Sequence, residues 1–202
     1  MTRLGLLGLQ LLLILVVVSF NPHLFAWDLP GDFFPDGTFD SFEGEQWFGK
    51  YLSSMHEPSL DKLARRDASA EVYRVTYLPC YSPYLALKLE VHPDGSGLLE
   101  LKKMEQIEEK IDDVPSYGPG RMVRNATFII SKKEVAQFKA LLKATGFWHL
   151  TARRDSNSLG GDMFIYECAR LGSYHVVEIP VPPDDALISP GLYLIKLAGE
   201  QV

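Results

Sequence analysis

The residues that could do chemistry lie close together in one stretch, "DMFIYECARLGSYHVVE", at positions 162–178. Paired carboxylates can share a proton and act as acid and base. Histidine titrates near neutral pH and, like a carboxylate, can ligate a metal ion. The candidate catalytic or cation-binding residues are Glu167, Glu178, Asp162 and His175.

The same stretch has the pattern of a β-hairpin, because two β-branched and aromatic runs flank "LGS". A two-residue type II′ turn at 172–173 pairs Glu167 directly with Glu178. A four-residue loop instead pairs Cys168 with His175. Both loops have even length, so the division of side chains between the two faces is the same in both cases.

One face of this hairpin is more apolar than the other and is therefore expected to meet the helices. That face carries Phe164, Tyr166, Cys168, Arg170, His175, Val177 and Ile179. The glutamates lie on the opposite face, where opposed like charges destabilise a strand pair. An arginine, a water molecule, a cation or a longer loop must compensate for them. Cys168 and His175 on one face and Glu167 and Glu178 on the other therefore do not form one constellation.

The two cysteines are Cys80 and Cys168. In an exported protein an even number of cysteines permits a disulfide bond between them. Isolated cysteines also serve as small buried hydrophobic residues. Both interpretations remain open at this stage.

The N-terminus has the pattern of an export signal. Arg3 precedes an uncharged apolar run from Leu4 to Phe20, and Ala26 is a small residue suited to cleavage. The sequence predicts a signal peptide at residues 1–26, or alternatively an uncleaved membrane anchor at residues 4–20. The run is just short of the ~20 residues that span a bilayer. We expect a periplasmic or secreted protein in either case, with the membrane as a partner only if the segment is uncleaved.

Charge and motifs exclude several classes of function. The formal net charge is −6, and the short basic groups are scattered among acidic residues, so no nucleic-acid partner is predicted. The sequence has no H-E-x-x-H, C-x-x-C, Walker or G-x-S-x-G motif. No cofactor, metal site or assembled catalytic signature is therefore predicted.

Residues 27–56 mix acidic and aromatic residues. Four aspartates recur at every fourth position, but the intervening proline and glycine residues forbid a helix there. The segment is interpreted as a linker whose aromatic residues dock on the domain or lie near a membrane. A single domain is predicted over residues 57–202, beginning with a short helix near 57–66.

Periodicity predicts the elements of that domain. Alternating apolar positions indicate strands from Glu71, from residue 85 and from residue 98, with a further strand before residue 131. Residues 105–121 are read as a long connection. Ser131 starts a helix with a capping box, and Ser189 with Pro190 starts the last helix. The order β-β-β-β-α-β-β-α predicts an α+β fold, with an antiparallel sheet of about six strands and helices packed on one face.

Three segments resemble an uncharacterised family of small bacterial proteins, many of them exported. They are residues 57–91, "GFWHL" at 146–150, and residues 162–182. Asp162, Glu167 and the Tyr-His-Val-Val-acid pattern at 174–178 fit that family, whereas "PCYSPY" lacks its histidines. The resemblance implies domain boundaries over about residues 45–200, and it implies no activity.

These observations favour a non-catalytic exported domain that binds another protein or an envelope component through its sheet face. The alternative hypothesis is a small hydrolase or cation-binding protein that uses the cross-strand carboxylate pair. Carboxylates in a concave pocket would favour the alternative, whereas acids spread over an open sheet would favour the binding domain.

Overall fold

A computed structural model describes residues 32–39, 47–81, 83–111, 114–152, 161–180 and 185–202. The strands are β1 Glu71–Leu78, β2 Tyr84–Val91, β3 Gly97–Ile111, β4 Val114–Ile130, β5 Met163–Arg170 and β6 Ser173–Pro180. The helices are α1 Gly49–Ser54, α2 Leu60–Arg66, α3 Lys132–Ala144 and α4 Asp185–Leu197.

The six strands form one antiparallel sheet in the order β4-β3-β2-β1-β5-β6. The predicted α+β fold with a six-stranded antiparallel sheet is confirmed. The predicted signal peptide or anchor lies outside the described residues. Within the described part of the chain, no helix is both long enough and apolar enough to cross a membrane.

The long connection predicted at 105–121 is wrong. β3 continues to Ile111 and β4 starts at Val114, so the two strands form a long ribbon. The prolines of this region, Pro115 and Pro119, lie in β4, which is an edge strand. A proline is tolerated there because its missing N–H need not bond to a further strand.

The larger core lies between α3, α4 and one face of the sheet. Its sheet residues include the alternating positions of β2 and β5. On the helical side the core contains Val135, Phe138 and Leu142 of α3 and Leu194, Ile195 and Ala198 of α4. The predicted face assignment of the β5–β6 hairpin is confirmed, because Phe164, Tyr166, Cys168, Val177 and Ile179 all belong to this core.

The second face is also covered by helices. Phe48, Tyr51 and Met55 of the α1 region pack against β1, β2 and β5, and Leu60 and Ala64 of α2 pack against Val72 and Ala169. The expectation of helices on one face therefore holds for α3 and α4 only.

The described part of the predicted linker belongs to the domain. Phe33 is fully buried, and its carbonyl accepts a hydrogen bond from the Ser59 hydroxyl at 2.9 Å. Phe48 is also buried, at the start of α1. The domain thus extends N-terminal to residue 57, because these aromatic side chains remove the second sheet face from water.

The ends of α3 follow the sequence signals. Ser131 and Glu134 form the predicted capping box, in which the Ser131 hydroxyl accepts from the Glu134 N–H. Gly146 follows the helix with φ of 70°, a left-handed conformation that glycine adopts without strain. A 3₁₀ turn at Phe147–His149 comes next.

The predicted start of the last helix at Ser189 is wrong, because α4 begins at Asp185 and Pro190 lies inside it. The Ser189 hydroxyl donates to the Ala186 carbonyl at 2.8 Å, the group that an N–H at position 190 would otherwise reach. The Gly191 N–H donates to the Tyr166 hydroxyl at 3.0 Å, and this hydroxyl donates to the Ile188 carbonyl at 3.2 Å. Side chains therefore replace the bonds that the proline removes.

Candidate functional site

Glu167, the first of the candidate catalytic residues, forms an ion pair with Arg74 on the neighbouring strand. The Arg74 Nε donates to Glu167 Oε2 at 2.6 Å and its Nη2 donates to Oε1 at 2.7 Å. Arg74 Nη1 also donates to the Pro58 carbonyl at 2.7 Å. Both side chains are fully buried. Paired bonds of this kind hold the carboxylate in one orientation.

The ion pair continues into a chain of alternating charges across the second face. Glu57 lies 3.3 Å from Arg74 Nη1 and 2.7 Å from Lys102 Nζ. Lys102 is 3.5 Å from Glu100, which in turn is 2.8 Å from Lys88. The network thus runs from the fully buried Arg74 and Glu167 on β1 and β5 to the partly exposed Lys88 and Glu100 on β2 and β3.

The pKa values of Glu57 and Arg74 are shifted toward the charged forms. Burial raises the pKa of Glu57, but Arg74, Lys88 and Lys102 outweigh it and hold the pKa below its ordinary value. Burial lowers the pKa of Arg74, but Glu167 and Glu57 raise it above the usual range. Glu57 and Arg74 therefore stay ionised because each has opposite charges beside it.

Tyr174 completes the environment of Glu167, since its hydroxyl donates to Glu167 Oε1 at 2.8 Å. Burial and the adjacent Glu167 raise the pKa of Tyr174 well above its ordinary value. Glu167 therefore accepts bonds from a guanidinium and from a neutral phenol. These contacts fix the strands and helices of the second face and leave the carboxylate inaccessible to a substrate.

Glu178 is not directly opposite Glu167, so the register with a two-residue turn at 172–173 is wrong. Glu167 pairs with Val176, and Glu178 pairs with Ile165. The alternative pairing of Cys168 with His175 is confirmed, but the four-residue loop from which it was predicted is wrong, because Arg170 also pairs with Ser173. Leu171 and Gly172 form the turn with φ values of 53° and 72°, as a type I′ turn requires. Glu178 is buried on the same face as Glu167.

His175 lies on the other face, as predicted. Its Nε2 donates to the Phe147 carbonyl at 2.8 Å, and the two rings meet edge-on with centroids 4.7 Å apart. The sheet separates His175 from Glu167 and Glu178, so the histidine cannot act with them on one substrate. Its role here is to fasten β6 to the 3₁₀ turn.

Asp162 holds the end of β1 to the start of β5. Its Oδ2 accepts from the Tyr77 hydroxyl at 2.5 Å and its Oδ1 accepts from the Cys80 N–H at 3.0 Å. Burial and the bond to Asp162 raise the pKa of Tyr77 above its usual range. Both carboxylate oxygens of Asp162 thus accept bonds from other residues of the chain. Asp162 lies at the start of β5, away from the buried ion network around Glu167.

Of the two interpretations left open for Cys80 and Cys168, the disulfide bond is not formed, because both residues are free thiols. Cys168 pairs with Tyr73 near the start of β1, whereas Cys80 follows the end of that strand. Seven residues of extended chain correspond to about 20 Å. A disulfide requires Cα atoms within about 7 Å. Burial raises the pKa of Cys168 to about 12, so its thiol is not a ready nucleophile either.

Sequence reasoning missed Arg74, Glu57 and Lys102. A signal for Arg74 was present, because Val72, Arg74 and Thr76 occupy every second position of β1 and therefore share one face. Glu167 lies on the same face of the sheet. An acid on a covered face requires a cation on a neighbouring strand. In the described part of the chain no three metal-ligating side chains come together.

The surface that stays open is the edge strand β4. Its residues alternate between exposed and half-buried over 121–129, and Ile129 is 88% exposed. In the parts of the chain that the structure describes, no backbone outside the sheet bonds to its outer edge. At the opposite edge, by contrast, the Glu178 N–H of β6 donates to the Ala152 carbonyl at 2.8 Å.

No protein-family model matches this sequence, and a search of curated proteins finds no relative. The resemblance to small exported bacterial proteins therefore stays a prediction. Function has to be argued from the geometry of the chain itself.

Proposed function

We propose that this protein is an exported, non-catalytic domain that binds an extended segment of another protein along β4. The observation that carries the proposal is the outer backbone edge of this 17-residue strand, to which no backbone in the described parts of the chain bonds. An unpaired strand edge presents a row of N–H and C=O groups to which a further strand can be added.

The side chains of β4 support a strand partner. Asn125, Thr127 and Ile129 are exposed and uncharged, and two of them are β-branched. Natural edges are commonly protected by lysine, by proline or by a covering segment. Between residues 125 and 130 none of these protections is present among the described residues. Backbone bonds would supply affinity, and alternate side chains would supply specificity.

The binding surface is the edge strand rather than the middle of a sheet face, because α1, α2, α3 and α4 cover the centre of both faces. Glu167, Asp162 and His175 each bond to other residues of the same chain, and these contacts weigh against the hydrolase alternative. The export part of the proposal rests on the apolar run at 4–20 and the residue pattern before Ala26.

Site-specific photo-cross-linking tests the binding surface. A photoreactive residue at Thr127, in the full chain expressed in its own host, is expected to capture a discrete partner peptide. Ile129→Lys should abolish capture, because a lysine on the edge opposes strand addition. The matched control is Leu171→Lys, an equally exposed apolar residue in the turn at the opposite edge. Equal capture with Ile129→Lys and Leu171→Lys would show that β4 is not the binding site.

The export proposal has its own test, the intact mass of the protein recovered from the medium or the envelope fraction. Cleavage after residue 26 is the expected result. A full-length protein in the membrane fraction would identify the segment as an anchor, and a cytoplasmic protein would refute export.

A further inference from the structure

A small cavity lies between the C-terminal half of α3 and the adjoining ends of β1 and β5. Its volume is about 260 Å³, and its walls are Tyr73, Lys139, Leu142, Lys143, Trp148 and Arg170. It is separate from the β4 edge, and neither the buried ion network nor the candidate carboxylates contribute to its walls.

The cavity has an excess of positive charge. Glu71 is the acid that faces its cations: it lies 2.7 Å from Lys139 Nζ and 3.5 Å from Arg170 Nε, and it accepts from the Tyr73 hydroxyl at 2.6 Å. Lys143 has no ion-pair partner among the described residues. Among the described residues, three cations against one acid leave a local charge of about +2 at this cavity, in a protein whose net charge is −6.

Trp148 gives the cavity an aromatic wall. Its side chain is 42% exposed although it is a large apolar group. The indole is held in place because it lies edge-on to Phe147, with centroids 4.9 Å apart, and tilted against the His175 ring at 6.0 Å. An indole held by two ring contacts beside cationic side chains suits an aromatic ligand with a negative charge.

We infer that this cavity binds a small organic anion that carries one aromatic ring. The volume accommodates a single ring and not a nucleotide, since drug-sized ligand pockets start at about 300 Å³. The anionic group pairs with Lys143 and Arg170, and the ring packs against Trp148. The inference does not depend on the proposed binding of a protein segment at β4.

Titration with benzoate tests this inference, with benzamide as the neutral analogue of the same shape. Two-dimensional NMR follows the Trp148 indole N–H, identified by its loss in Trp148→Phe, and calorimetry gives the affinity. Benzoate is expected to bind with a dissociation constant of about 1 mM or below. Benzamide should bind at least about fivefold more weakly, the usual size of one partly exposed charge interaction.

Lys143→Gln is expected to weaken benzoate binding about fivefold. Lys133→Gln is the matched control, because Lys133 is exposed on the same helix and outside the cavity. Thermal melting of both variants verifies that the fold is intact. The inference is refuted if the Trp148 indole signal does not move at benzoate concentrations up to about ten times the expected dissociation constant. Equal binding of benzoate and benzamide, or equal losses in the two lysine variants, would refute it as well.

Discussion

Arg74 and Glu167 are direct partners across β1 and β5, and their side chains form a two-bond ion pair with no exposed surface. This pair explains how the second sheet face can carry acids under two helices. Glu167, one of the residues that suggested chemistry in the sequence, is held by Arg74, which also pairs with Glu57.

Removing one member of the pair is expected to destabilise the fold strongly. Arg74→Met leaves Glu167 buried without its cation and removes one of the cations beside Glu57, and breaking such a pair costs about 3–5 kcal/mol. Urea unfolding measures the loss. The double variant Arg74→Met with Glu167→Met should recover part of it, because the second change removes the orphaned carboxylate. Suppose that the double variant is less stable than Arg74→Met by the full loss that Glu167→Met causes alone. That result would contradict the coupling of the two side chains.

Stability is expected to fall with pH below about 4.5. The ordinary pKa of Glu57 is 4.5 and its folded-state pKa is lower, so the unfolded chain binds more protons than the folded one in this range. Its contribution is complete above pH 4.5 and is lost as the pH falls through the folded value. Glu71 and Glu200 shift in the same direction.

The role of Glu57 is tested by thermal melting between pH 7 and pH 3. Glu57→Gln should be less stable than the natural sequence at pH 7, and the difference should shrink below pH 4.5. The exposed Glu108 supplies the control, since Glu108→Gln should give a curve parallel to that of the natural sequence. A difference that is constant with pH would show that Glu57 does not contribute through its charge.

Tyr166→Phe is expected to destabilise α4 by about 1–3 kcal/mol, because the Gly191 N–H loses its acceptor in a buried position. Chemical denaturation measures this change. Tyr193→Phe on the same helix is the control, with little expected effect because Tyr193 is only half-buried. Equal effects of the two variants would mean that the Tyr166 hydroxyl does not compensate for Pro190.

The two cysteines should behave as unequal free thiols. In the folded protein an alkylating reagent is expected to modify Cys80, which is partly exposed, well before Cys168, which is buried with a pKa of about 12. After unfolding without reductant, mass spectrometry should show that the alkylating reagent has modified both cysteines. A melting temperature that falls on addition of reductant would contradict the free thiols.

Some elements could be predicted from short stretches of sequence, because the interactions that form them join residues close together in the chain. The capping box of Ser131 and Glu134, the alternation of β2, and the faces of the β5–β6 hairpin were all predicted. Each depends on residues a few positions apart. The start of α4 was not predicted, because the tolerance of Pro190 comes from Tyr166 on another element.

The candidate site was predicted only in part, for the same reason. The alternation of side chains along the two strands was enough to place His175 on the face opposite Glu167 and Glu178. The negative charges of the two glutamates on one face predicted a compensating group. Which group it is depends on the partner of β5, and a strand 93 residues away in sequence supplies Arg74. No spacing rule encodes a contact of that length.

The sequence by itself determined six strands, although not the full length of β3 and β4, and the division of the faces of the β5–β6 hairpin, because periodicity is a property of neighbouring residues. It also indicated that the glutamates need a compensating group. Only the tertiary structure decided which strands are adjacent, that helices cover both faces, and that β4 is left as the open edge. Those outcomes depend on contacts between distant segments, where buried charges must find partners and apolar faces must leave water.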